Sequence, residues 1–202
     1  MRERLTIVDA SRKPLGTKER IAVHRDGDWH ETFHCWLWRD DFIFLQLRSR
    51  TKADFPNCFD ITAAGHLMAG ETVQDGVREI EEELGLRVRW HDLRHLGVFS
   101  DVIEQPPFID REFAHTYAYR ETGGSFKLQD EEVADVIRVN RRAFEQLVEG
   151  QRDYVDGQSV MTTDSYDVTT ARLVPHPLAY WRNVCQAIAT LQQEMTLGEG
   201  EA

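Results

Sequence analysis

No stretch of this chain approaches the run of about 18 apolar residues that a membrane-spanning helix requires. No segment is repeated or of low complexity, and the opening MRERLTIVDASRKPLG lacks the apolar core of a secretion signal. Cysteine is scarce: Cys35, Cys58 and Cys185 are unevenly spaced and form no C-x-x-C pair. A disulfide framework or a cysteine-based zinc site is therefore not expected, and a reducing, cytoplasmic setting is. Positive charge is the third shortage. Lys and Arg total 24 against 35 Asp and Glu, a net charge of −11, so neither nucleic acid nor an anionic membrane is an expected partner. An acidic protein can still take a phosphorylated ligand when divalent cations bridge the two sets of negative charge.

What the chain does have is an ordinary globular balance, 41% hydrophobic and 29% charged over 202 residues, without a break in composition. One domain over 1–202 is expected, with its core over 28–150 and a C-terminal helix over 178–195. Short strands are expected at 5–10 and 30–38. In the second, Phe33, Cys35 and Leu37 alternate with His30, Thr32, His34 and Trp36. Asp40-Asp41 turns that strand into FIFLQLRSR. Further strands are expected at 60–64, 94–102, 108–119 and 133–139, and helices at 72–84, 141–149 and 178–195. Residues 151–177 carry no period, and GEGEA at the end reads as a solvated tail. Strands and helices interleaved in this way favour an α/β layered domain.

The helix at 72–84 carries the chemistry. Glu79 is followed at i+3 by Glu82 and at i+4 by Glu83, so the three side chains share a face, while Val73, Val77, Ile80 and Leu84 form the docking stripe. Like charges at that spacing cost an isolated helix a few tenths of a kcal/mol per pair, roughly the inverse of a favourable pair. A cation reverses the sign, and hard divalent ions such as Mg²⁺ take one or two carboxylates together with substrate phosphates and water. A solvated acidic face is the plainer alternative for the three glutamates alone.

The wider pattern resembles the Nudix box, G-x5-E-x7-R-E-U-x-E-E-x-G-U, where U is a bulky aliphatic residue. Arg78 through Leu86 matches its last nine positions, and Gly65 and Glu71 match its start. One residue is missing, because six residues and not seven separate Glu71 from Arg78. The resemblance implies a Nudix fold, an α/β/α sandwich with a mixed β-sheet and a loop–helix–loop catalytic box holding Mg²⁺ or Mn²⁺ against a diphosphate. It also implies Glu79, Glu82 and Glu83 as metal-site carboxylates, the Ala64 carbonyl as a further ligand, and Arg78 as the residue orienting Glu79.

Segments outside the box, including HRDGDWHETFHCWLW and FIDREFAHTYAY, are similar to the branch that contains isopentenyl-diphosphate isomerases. Three isomerase metal-site positions find matches in His30, His66 and Glu112, with Glu112 a further metal ligand or the general base. Where the isomerases carry a cysteine acid/base, this chain has Ala64. His30, His66, Arg48 and Arg50 are candidate substrate contacts, and Trp29, Phe55, Phe59 and Phe108 candidate stacking residues. Glu131 and Glu132 are read as a capped loop. The stripe Leu178, Trp181, Val184, Cys185, Ile188 and Leu191 either docks on the domain or serves a homodimer. The expectation is a Mg²⁺-dependent hydrolase of a nucleoside diphosphate derivative or another small organic diphosphate. Isomerase-like chemistry, a prenyl-diphosphate hydrolase and a catalytically silent binding module stand as alternatives.

Overall fold

The computed structural model describes residues 3–199. In chain order the elements are β1 (Arg4–Val8), β2 (Pro14–Glu19), α1 (Arg20–Asp26), β3 (Trp29–Arg39), β4 (Phe42–Arg48), β5 (Phe59–Ile61) and β6 (Ala63–His66). A 3-10 turn (Val73–Val77) leads into α2 (Arg78–Leu84). Then come β7 (Arg94–Gln105), β8 (Phe108–Arg120), β9 (Val133–Asn140), α3 (Arg141–Val148), β10 (Val155–Ser159), β11 (Ser165–Val168) and α4 (Leu178–Glu199).

The sheet is organised around β3, which pairs antiparallel with β1, β4 and β6 and parallel with β8. The sheet is thus mixed and is covered on both faces, as an α/β sandwich requires. The alternation in β3 decides which residues face which layer. Phe33, Cys35 and Leu37 pack with Ile80 and Leu84 of α2 on one side. Trp36 and Trp38 pack on the other with Phe144 of α3 and with Trp181, Val184 and Ile188 of α4. Each large apolar side chain fully buried in these layers contributes about 1.5–3 kcal/mol of transfer free energy.

Several expectations are revised. The first strand ends at Val8, and β2 and α1 follow where only a turn was expected. Both are short, β2 is largely exposed and α1 buries only Val23 and His24, so neither shows a clear apolar period. The strand at 60–64 is two strands that leave β4 for β3. The expected helix over 72–84 is a 3-10 turn followed by a shorter α-helix. Residues 151–177 hold the β10–β11 hairpin, which extends the sheet beyond β9. Most of the stripe on α4 is docked within the chain, with Trp181, Val184, Cys185 and Ile188 buried, while Leu178 at its start is exposed. Helix α4 takes in Gly198 and Glu199 of the expected tail, and the remainder of that tail lies outside the described residues.

Candidate active site

An acidic cleft of about 450 Å³ opens where β3, β6, β8 and α2 meet. Its first part is the box. Gly65 lets α2 come so close that a Cβ there would lie 2.1 Å from the Glu79 carboxyl. Glu83 is 7% exposed and accepts the Ala64 N–H at 3.2 Å. Burial, and then the Glu79 charge, pushes the Glu83 carboxyl well above the usual range. Burial likewise raises Glu79 to about 7, against the partial offset of Arg78, whose guanidinium lies 2.6 Å from it.

Arg78 is itself held by Glu71 at 3.0 and 3.1 Å, by Glu82 at 3.0 Å and by the His66 carbonyl at 3.1 Å. Glu71 therefore anchors the arginine despite the shortened spacing before it. Glu82 differs from its two neighbours: its side chain is 54% exposed at the rim. Thr72 and Asp75 close the start of the turn, with the Asp75 carboxylate accepting the Thr72 N–H at 2.7 Å.

The second part is a cage of histidines. His24, His30, His66 and Asp110 direct ligand atoms that all lie within 4.8 Å of one another. His24 Nε2 is 3.2 Å from His66 Nε2, and His30 Nε2 is 3.4 Å from Asp110 Oδ1. His30 Nε2 and Asp110 Oδ1 are buried without a hydrogen-bond partner, which is the condition of donor atoms shaped for a small cation. Burial holds His24 down at about 4 and His66 well below its ordinary value, so both stay neutral, as ligation requires. Glu112 stands beside the cage, with Oε1 3.8 Å from His30 and Oε2 3.2 Å from both His34 and Thr32. Burial opposes its charge, but the hydrogen bond to His34 holds it below its ordinary range.

The far wall carries cations. Arg48 is fixed by Asp60 at 2.9 Å and by the Asp54 carbonyl at 2.9 Å, and Lys52 pairs with Glu132. Phe55 and Phe108 form a T-shaped pair at the mouth, with centroids 6.1 Å apart.

The cleft thus brings together Ala64, His66, Arg78, Glu79, Glu82, Glu83, Glu112 and Arg48 of the expected residues, with His30 buried beneath it. Arg50 is not among them. It is exposed in the turn two residues beyond the end of β4 and does not line the cleft. Trp29 stacks on Phe113, and Phe59 belongs to the core. His24, Asp110 and Lys52 were missed. Asp110 was signalled by its place two residues before Glu112 on one strand. His24 sits on a seven-residue helix whose only sequence mark is the Gly27 that ends it.

Two glutamates folded against a glycine strand, next to an imidazole cage and facing a wall of cations, give an α/β protein a cleft with the character of a phosphoanhydride hydrolase site. The chain belongs to the NUDIX domain family, whose model matches residues 28–158. It is 32% identical over 199 residues to an uncharacterized Nudix hydrolase of Clostridium acetobutylicum, covering 92% of this chain and 97% of that one. Over 136 residues it is 26% identical to the isopentenyl-diphosphate Delta-isomerase of Salmonella arizonae, covering 66% of this chain and 74% of the relative. The fold is similar to the crystal structure of DR0079 from Deinococcus radiodurans, with a TM-score of 0.59 at 19% identity over 73% of this chain and 90% of that one.

Proposed function

We propose that the protein hydrolyses the diphosphate linkage of a nucleoside diphosphate derivative or another small organic diphosphate, with Mg²⁺ or Mn²⁺ at the box. The observation that carries this reading is the pair Glu79 and Glu83, the first mostly covered and the second buried, side by side with Arg78 reaching only one of them. A buried like-charge pair is costly unless a cation shares it. The donors fit a hard divalent ion: two carboxylates, with the carbonyl of Ala64 as a third. When bound, such an ion neutralises the diphosphate and makes a water nucleophilic. Arg78 orients Glu79, and Glu82 sets Arg78 from the rim. Arg48 and Lys52 receive the phosphate oxygens across the cleft. Glu112, ionised beneath the cage, takes the proton from the attacking water or serves as a ligand. The cage of His24, His30, His66 and Asp110 suits a more nitrogen-seeking ion such as Zn²⁺ or Fe²⁺.

The cage also favours a second reading, isomerase-like chemistry, because His30, His66 and Glu112 match isomerase metal positions. Against it stands Ala64 in place of the cysteine. Among the described residues no cysteine lines the cleft, and Cys35 is buried in the core with its thiol pushed up. The experiment is phosphate release from a panel of nucleoside and prenyl diphosphates with Mg²⁺ or Mn²⁺, for wild type and Glu83→Gln. The expected result is turnover of at least one substrate and a loss in the variant of about a hundredfold or more, the scale for disturbing a metal-held transition state. A variant as active as wild type sinks the assignment. Proton exchange into isopentenyl diphosphate in heavy water, without phosphate release, replaces it with the isomerase.

A further inference from the structure

The family match ends at residue 158, yet a side chain 18 residues beyond it lies in the cleft. Leu173 bridges Phe59 in parallel, and the Val174 N–H donates to the Phe59 carbonyl at 2.9 Å. The segment therefore runs alongside β5 and is carried level with Asp60. Pro175 and Pro177 flank His176 and limit its backbone, and the His176 N–H closes a tight turn on the Val174 carbonyl at 2.8 Å.

The ring that results is clasped on both sides. Its Nε2 lies 2.8 Å from Asp60 Oδ1, and its Nδ1 lies 2.5 Å from Asp101 Oδ2. The side chain is only 7% exposed, and the Trp181 ring packs edge-on against it at 5.0 Å. Asp60 is the carboxylate that fixes Arg48 on the far wall, and Asp101 is paired across strands with Glu112. The other oxygen of Asp101 is buried and has no hydrogen-bond partner, so His176 is the contact that holds this carboxylate. Four residues thus form a chain across the floor: Arg48, Asp60, His176 and Asp101.

We propose that residues 174–177 are a working part of the active site, with His176 a positioning residue that ties the Arg48 wall to the strand pair carrying Glu112. A role confined to stability would be served better by apolar residues, since a buried ionic group is often no more stabilising than a well-packed hydrophobic one of its size. Here the buried ions join the two walls between which a diphosphate would sit. Without the imidazole, Asp60 keeps Arg48, but Asp101, across from Glu112, loses its partner. The two walls are then joined through β3 and lose their direct tie across the floor. The proposal rests on the reading of the cleft as a diphosphate site.

The test uses the full chain and a probe without an organic group, methylenediphosphonate, which occupies a diphosphate site and is not hydrolysed. Its binding in the presence of Mn²⁺ is measured by calorimetry for wild type and His176→Ala, with and without added imidazole, alongside melting curves and Mn²⁺ binding followed by electron paramagnetic resonance. The expected result is binding about tenfold or more weaker in the variant, the scale for losing a charged hydrogen-bond partner. Imidazole entering the vacated space from the cleft restores it. Unchanged diphosphonate binding in a folded variant overturns the proposal. So does a loss that follows only the melting temperature and is not rescued. A wild-type protein that binds neither Mn²⁺ nor the diphosphonate removes the hydrolase reading itself, and this one with it, a result that differs from failure of the histidine alone.

Discussion

Two glycines near α2 show how one substitution can strike chemistry or stability depending on what the added methyl meets. At Gly65 the new Cβ would meet the end of the Glu79 side chain, at 2.1 Å from its carboxyl carbon. That carboxyl is the far end of a flexible chain and can swing away, so Gly65→Ala keeps the fold and misplaces a proposed ligand. The expected outcome is a melting temperature within a few degrees of wild type with Mn²⁺ binding weaker by roughly ten- to a hundredfold, the scale for disturbing ligand support. At Gly76 the Cβ would meet Phe33 Cβ at 2.5 Å and Cγ at 2.7 Å, atoms rooted in the central strand. These cannot move without the sheet, so Gly76→Ala is expected to lose about 1–3 kcal/mol by overpacking. Denaturant melts of both variants with Mn²⁺ titrations decide the matter: equal effects of the two on affinity would mean that the Glu79–Gly65 contact has no special role.

At the scale of elements, the 3-10 turn answers the missing residue in the box. Five residues at 3.0 per turn sweep about 600°, the same as six residues at 3.6 per turn. The tighter winding of Val73–Val77 therefore leaves Glu79 and Glu83 in phase, and Arg78 still reaches Glu71 at 3.0 Å. An alanine inserted after Gln74 is expected to relax this turn to α-winding and keep Mn²⁺ affinity within a few-fold. Deleting Gln74 rotates Glu79 by roughly 120° and should abolish binding; metal titration of the pair separates the outcomes, and equal loss in both would refute the phase argument. The same element shows what could be read from sequence and what could not. Glu79 and Glu83 were legible because helical spacing is local, and β3 because its alternation runs unbroken from Phe33 to Leu37. The winding of the turn was not, since either helix type satisfies the same apolar stripe. His176 was not legible either: its partners Asp60 and Asp101 lie far back in the chain, and no period marks a residue brought beside them by a single parallel bridge.

For the molecule as a whole, the cleft sets the dependence of stability on pH, and opposite groups act on either side of neutrality. Glu79 titrates at about 7 in the folded protein against 4.5 in the unfolded chain, and Glu83 is displaced in the same direction. Between those values the folded state binds more protons than the unfolded one, so their stabilisation is lost as pH rises through about 7. His24, lowered to about 4, acts in the other sense together with His30 and His66: below 6.5 the unfolded chain takes up protons that the buried cage refuses. Asp110, raised by burial, offsets part of that acid-side effect. His176, whose charge burial opposes but Asp101 and Asp60 sustain, adds to the alkaline loss, so the metal-free protein is expected to lose stability above pH 6.5. From there to pH 8 the shift of Glu79 alone sets a scale on the order of 3 kcal/mol for its full range, of which this interval samples part. A divalent cation at Glu79 and Glu83 takes the place of the proton and gains affinity as the carboxyls ionise, so saturating Mn²⁺ should make the alkaline decline smaller. Melting curves at pH 5.5, 6.5 and 8, in chelator and in Mn²⁺, test this. A decline above pH 6.5 of equal size with and without the metal would show that the paired glutamates do not meet the cation, and would leave the acidic cleft without the counter-charge its geometry calls for.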